Sequence, residues 1–264
     1  MNSKHVLAIF LRQFFLMRQK PIRVASLLYV SSFELFLWVF LTKYLHTVGG
    51  EKLTALNAVL GVAVFWSFFS RIQQSVCSSF LEDIRSKNLI NLFVSPLKMR
   101  EYLAGILIVN IFSAGLALLG TSLIGWILGF INVFAFGQLL VPSVFILYVF
   151  GWTLGILTMA IILRFGQAYE ALFWSVPTFM VPLSGVFYTI DTLPRFLQPI
   201  AHWIPISAVF QAIRDTVLHG TINGHSLVFA TLLALVYFFL SLAFFSKMVQ
   251  SVLKLGLFTR LMTD

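Results

Sequence analysis

The residues able to do chemistry are few and scattered. Histidines stand at positions 5, 46, 202, 219 and 225, with a single cysteine, Cys77. No two histidines have the H-E-x-x-H spacing that holds zinc on one helix face, and one thiol forms neither a cysteine metal site nor a disulfide framework. Gly120-Thr121-Ser122 begins like a serine-nucleophile turn, but Ile124 stands where a second glycine is required. No G-x-x-x-x-G-K-[ST] loop is present, so the chain has no such cradle for ATP phosphates. Catalytic residues, a metal site and a cofactor of its own are therefore not expected. What remains is a set of charges in apolar surroundings. Glu34 lies mid-way along an apolar run, where a carboxylate facing lipid is costly. It must face protein or a wet cavity, as a pathway charge or a buried structural pair, and Arg71 is its nearest candidate partner. Arg164 and Glu170 flank a short turn and are expected to pair. Arg214 and Asp215 are adjacent on a helix and need different partners.

Composition says what must position these charges. Of 264 residues, 59% are apolar and only 10% are charged, with 29 phenylalanines. A soluble domain is about a quarter charged, so neither a hydrated globular surface nor disorder fits. Six runs are apolar enough to span a bilayer, about 22–44, 54–78, 102–129, 138–164, 169–189 and 225–247. From Tyr102 to Leu163 no ionisable Asp, Glu, Lys, Arg or His occurs. That length serves two helices, so a fold-back is expected at 130–138, where Asn132 and Gly137, with Pro142 just beyond, break helix. With both termini inside, 14 of the 18 Lys and Arg residues fall on the cytoplasmic side. The net charge of +9 thus reports topology, not nucleic acid.

Residues 1–20 carry too much charge and lack a cleavage site for a signal peptide. Val6, Leu7, Phe10, Phe14 and Met17 share one helical face and His5, Arg12 and Gln19 the opposite one, with Ile9, Phe15 and Leu16 blurring the boundary. This predicts an amphipathic interfacial helix, turned toward the membrane at Pro21. Gly125-x-x-x-Gly129 and Gly151-x-x-x-Gly155 are read as packing sites.

Two segments between spans are informative. Residues 79–101, SFLEDIRSKNLINLFVSPLKMRE, place Glu82 and Asp83 early, an apolar set at Leu89, Ile90, Leu92 and Phe93 in the middle, and Lys98 and Arg100 after Ser95-Pro96. That charge order suits a cytoplasmic helix, buried either on the protein's own inner ends or against another subunit. Residues 189–223 are too polar and proline-broken (Pro194, Pro199, Pro205) to span, yet Phe196, Ile200, Trp203, Ile206, Val209, Phe210 and Ile213 are too apolar for a free loop. A helical hairpin that dips into the outer leaflet and returns fits both facts.

These two segments resemble signatures of the type-2 ABC transporter permeases. The outer one carries Gly185-Val186-Phe187-Tyr188, Leu193-Pro194, Ile204-Pro205 and Arg214 in the family's order; the inner one carries Glu82, Leu89–Phe93, Ser95-Pro96-Leu97 and Glu101. Arg85-Ser86-Lys87 replaces the Gly-Thr of many members. The resemblance implies an all-α integral membrane fold in one domain, 1–264. It has six transmembrane helices, an N-terminal interfacial helix (1–20), a coupling helix (79–101) and a re-entrant hairpin (189–223) before the last span. It implies an exporter subunit of the bacterial inner membrane, working as a homodimer with two separate ATPase subunits that hold ATP and magnesium. The cargo would be amphipathic or lipid-linked: a glycoconjugate, a lipid or a hydrophobic drug. The coupling residues would be Glu82, Asp83, Arg85, Leu89, Leu92, Phe93, Ser95, Pro96 and Glu101, and the outer gate Tyr188, Pro194, Pro205 and Arg214. The rival is a proton-coupled carrier using Glu34, which would need no ATPase and usually shows an internal repeat; no convincing repeat relates the two halves.

Overall fold

The computed structural model describes residues 3–19, 21–49, 55–86, 88, 95, 97–128 and 133–254, with no strand among them. The described helices are α1 (Ser3–Gln19), α2 (Pro21–Gly49), α3 (Ala55–Arg85), α4 (Met99–Ile127), α5 (Leu140–Phe165), α6 (Leu172–Ser184), α7 (Gln198–His202), α8 (Pro205–His219) and α9 (Gly224–Lys254). Three segments, Met99–Ile127, Phe136–Phe165 and Gly224–Lys254, are long and apolar enough to cross a membrane. The expected fold-back is a 3-10 turn, Val133–Leu139, with Gly137 at φ 52, a left-handed conformation that glycine adopts without penalty.

α3 is the hub, touching α2, α4, α5 and α8, while α5 packs on α9. α3 and α5 approach closely because α5 presents glycines. A Cβ on Gly151 would lie 2.7 Å from an Ile72 methyl, and one on Gly155 3.0 Å from Val76. The Gly151–Gly155 pair is therefore a packing site, as expected; Gly129 of the other pair lies outside the described residues. A buried polar contact ties the same region. Asn110 on α4 donates to the Ile72 carbonyl (3.0 Å) and accepts from the Trp152 indole (2.7 Å). In low dielectric a satisfied amide of this kind fixes helix register.

The apolar interior has two main parts. One gathers Phe65, Phe69, Ile146, Phe150 and Phe210, and the other Val76, Phe80, Tyr102, Ile156 and Phe245. Outside them lies a girdle of exposed apolar side chains, including Phe33 and Phe40 on α2, Phe112 and Leu119 on α4, and Leu232 and Phe239 on α9. Such a surface needs lipid or a partner subunit, not water. The phenylalanines thus divide between girdle and core, and five of the largest fully buried side chains are Phe65, Phe69, Phe80, Phe210 and Phe245.

Two boundaries depart from expectation. The fifth apolar run forms only a 13-residue helix, α6, after a 3-10 turn at Gln167–Ala171. At 1.5 Å per residue this is about 20 Å, short of the ~30 Å hydrocarbon thickness. Pro177 and Pro182 lie within it, and Gly185 ends it at φ 65. α3, by contrast, continues to Arg85, so residues 79–85 extend that helix and 99–101 begin α4.

Within 189–223, the segment expected to form a hairpin, lie α7 and α8. α8 buries Ile206, Val209, Phe210 and Ile213 completely. It runs antiparallel to α3, since Phe210 meets Trp66 (ring centroids 6.3 Å) while Ile213 abuts Gly61. At the corner between α7 and α8, the Trp203 carbonyl accepts from the Tyr237 hydroxyl (3.2 Å). Tyr237 lies 13 residues past Gly224, so the corner reaches about 20 Å down α9 before α8 climbs back.

Candidate functional site

The end of the bundle where α3 stops and α4 starts is built around Asp83. Along α3 the buried stripe runs Phe69, Ile72, Val76, Phe80, Asp83, at the three- and four-residue steps of one helix face, and Asp83 has no solvent exposure. A carboxylate there needs several donors, and two other helices supply them. Arg12 of α1 grips both oxygens, with Nη2 on Oδ1 and Nη1 3.3 Å from Oδ2, and the Tyr102 hydroxyl of α4 donates to Oδ2 at 2.7 Å. Burial alone would lower the Arg12 pKa, but the hydrogen bond and Coulombic pull of Asp83 outweigh it and hold the guanidinium above its ordinary value.

Glu101, also buried, completes the frame. Its Oε2 accepts from the Lys98 amide (3.2 Å), satisfying an end of α4, and from His5 Nδ1 (2.7 Å). α1 is thus strapped to α3 and α4 by Arg12 and His5, the residues expected on its solvent side. Ile9, expected at the boundary, is core: a Cβ on Gly105 would meet it at 2.5 Å. Leu7, Leu11, Phe14 and Phe15 remain exposed as an outward apolar face. The side of α1 turned to protein is thus mixed, with Val6, Ile9 and Gln13 buried beside Arg12 and His5, while Lys4, Arg18 and Gln19 stay exposed.

Of the remaining inner residues, Glu82 is half-buried, and Arg85 is exposed and ion-paired with Glu170 before α6. The expected Arg164–Glu170 pair is therefore not formed; Arg164 donates to Ser251 on α9. Ser95 is exposed, whereas Leu89, Leu92, Phe93 and Pro96 lie outside the described residues. Between α1, the end of α3 and the start of α6 opens a cleft of about 940 Å³, whose lining mixes the charged Arg12, Glu82, Arg85 and Glu170 with the apolar Leu81, Phe173 and Trp174. Its chemistry is amphipathic.

Within the bundle, Glu34 accepts from Ser67 one turn along α3 from Arg71, and Arg71 stays within its electrostatic reach. No ion pair within 4.0 Å joins Glu34 to Arg71 among the described residues. The neutral hydroxyl is the direct partner, which no pattern of charged residues in the sequence would reveal.

At the other end, Arg214 is buried and donates to the Gly185 carbonyl and to that of Val186 (2.8 Å). These carbonyls lie at the end of α6, where a cation is favoured. Tyr188 returns over the same end, its hydroxyl donating to the Pro182 carbonyl (2.6 Å). Pro205 is the buried first residue of α8, and Pro194 is exposed, its carbonyl accepting from the Leu197 amide (2.8 Å). Of the four expected residues, Arg214 and Tyr188 thus meet at the joint between α6 and the hairpin, with Arg214 as its polar pin, whereas Pro194 precedes α7 and Pro205 stands at the corner between α7 and α8. Arg214→Met is expected to cost about 2 kcal/mol, the scale of hydrogen bonds to a charged donor, while Arg214→Lys keeps part of it. Thermal unfolding in detergent, followed by tryptophan fluorescence, measures the difference.

A bundle with three helical segments long and apolar enough to cross a bilayer, girdled by exposed phenylalanine and leucine and braced at one end by ion pairs on buried carboxylates, is a multi-span α-helical membrane protein. The chain belongs to the ABC-2 type transporter family, whose model matches residues 4–218. It is therefore a membrane component of an ABC transporter, a family that works with an ABC ATPase subunit. No curated protein matches the chain significantly.

Proposed function

We propose that the protein is the permease subunit of an ATP-driven exporter in the bacterial inner membrane. Two copies form the path across the bilayer, and two separate ATPase subunits bind ATP and magnesium. Each copy crosses six times with both termini in the cytoplasm, α6 with its preceding turn serving as a short fifth span. The asymmetry of 14 cations against four supports that orientation. The α7–α8 hairpin re-enters from the outside and gates the exit, with Arg214 and Tyr188 at its joint with α6, Pro194 ahead of α7 and Pro205 at the corner between α7 and α8. The cargo is amphipathic or lipid-linked, of the class of a glycoconjugate, a lipid or a hydrophobic drug. The cleft of about 940 Å³, lined by both charged and aromatic side chains, suits lateral access for such a molecule from the inner leaflet.

The observation that carries the reading is the frame at the inner end. The segment between Arg85 and Lys98 hangs from α3 and α4, whose ends are locked to one another and to α1 through Asp83 and Glu101. A partner pressing on that segment moves three helices as one body, which is how nucleotide-driven closure would reach the membrane path. The membrane protein, tagged and purified in mild detergent, is expected to bring down a stoichiometric chain bearing a phosphate-loop motif, with ATP hydrolysis in the eluate. An intact complex with neither overturns the proposal.

A further inference from the structure

A second large recess lies on the other side of α4. It is a groove of about 820 Å³ between the first turns of α4 and the last half of α9. α4 packs on α1 and α3, whereas α9 packs on α5, so the groove is the gap between two separately supported helices. Its walls are apolar, with Leu103 and Leu107 facing Phe238, Leu242 and Phe245, and the small Ala104 and Ala243 give it width. Its open end is basic: Lys98 and Arg100 stand at the rim, both exposed, and neither makes an ion pair with a described residue. Among the described residues, none that lines the groove is acidic. α9 has no acidic residue along its length, and the one carboxylate at the start of α4, Glu101, is turned to His5 and the Lys98 amide.

We infer that this groove binds an anionic phospholipid from the leaflet at this end of the bundle, its acyl chain along the α4–α9 walls and its phosphate on Lys98 and Arg100. From Gln250 to Phe238 the groove follows 12 residues of α9, about 18 Å. That is close to the ~15 Å hydrocarbon depth of one leaflet. A basic recess between membrane helices at their polar end is complementary in charge and level to such a headgroup. The assignment rests on the membrane reading alone, not on ATPase coupling or cargo. A lipid seated here braces the first turn of α4, the turn that also carries Glu101 and Tyr102, so leaflet charge bears on the inner frame.

The test is native mass spectrometry of the detergent-purified protein titrated with phosphatidylglycerol or with phosphatidylethanolamine of the same chains. The wild type is expected to hold phosphatidylglycerol preferentially. Lys98→Gln with Arg100→Gln is expected to weaken it about tenfold or more while leaving phosphatidylethanolamine unchanged. Equal binding of the two lipids by the wild type, or undiminished phosphatidylglycerol binding by the double variant, overturns the inference. A photoactivatable phosphatidylglycerol on the unaltered chain gives an answer independent of folding of variants. Labels are expected on peptides containing Leu103–Leu107 and Phe238–Val249. Labels spread evenly over the girdle would mean unselective annular lipid, and labels excluded from the groove in the assembled dimer would mean a subunit interface; either result overturns it. Loss of ATPase co-purification with intact lipid selectivity would remove the exporter reading and leave this site standing.

Discussion

Asp83→Ala is expected to destabilise the protein by about 3 kcal/mol or more, the cost of breaking a buried ion pair. Asp83 has no exposure and collects two donors from Arg12 and one from Tyr102. Without it, a half-buried guanidinium and a buried hydroxyl face each other with no acceptor between them. Asp83→Asn keeps the shape and an acceptor for Tyr102 but loses the charge, so its effect should be intermediate. Arg12→Met combined with Asp83→Leu removes both charges. It should recover much of the loss, because apolar replacement of a whole buried pair is often neutral. The readout is the melting temperature by fluorescence-detected size exclusion, together with proteolysis of α1, which the single variant should release. A single variant that melts with the wild type would mean that Arg12 and Asp83 do not brace this end.

The inner frame was only partly legible in the sequence. Apolar run lengths gave the helices that now extend over Met99–Ile127, Leu140–Phe165 and Gly224–Lys254, and helix-breaking residues marked the turn at 133–139. Run length marks the fifth segment as about 169–189, because hydropathy is blind to the 3-10 turn at Gln167–Ala171 and to the left-handed Gly185 that bound α6. In the sequence Asp83 groups with Glu82 as one acidic pair, because the apolar run ends at residue 78. The signal that separates them was nevertheless present: carrying the spacing Phe69, Ile72, Val76, Phe80 one step further lands on Asp83 and not on Glu82. Its partner was not readable, since Arg12 lies 71 residues away and on a helical wheel sits among polar residues that suggest solvent. The same holds for Arg85 and Glu170, joined across 85 residues of chain. Arg214 was legible as a family position, but its role as a donor to the carbonyls at the end of α6 depends on how the hairpin folds back.

The distinction between neighbouring acids also sharpens the test of coupling. Glu82→Lys is expected to lower ATP-driven transport about tenfold, the scale of a typical coupling free energy, while the melting temperature stays within the small range of surface changes. Glu82 is half-buried on the cleft wall, next in sequence to Asp83 but about 100° around the helix, so its reversal leaves the Arg12–Tyr102 grip in place. Arg85→Glu probes the contact between α3 and the turn before α6 by setting two carboxylates against each other at Glu170. If that pair transmits motion from the end of α3 to α6, then Arg85→Glu with Glu170→Arg restores transport that either single change reduces. If Arg85 contacts the ATPase instead, the swap restores nothing, and the loss appears as weaker co-purification of the partner. Transport into inverted vesicles and ATPase stoichiometry, measured on the same preparations, separate the two. Unchanged coupling in both Glu82→Lys and Arg85→Glu would remove this end of α3 from the path by which ATP drives transport, while the stability effect of Asp83 would stand, because it depends only on burial and pairing.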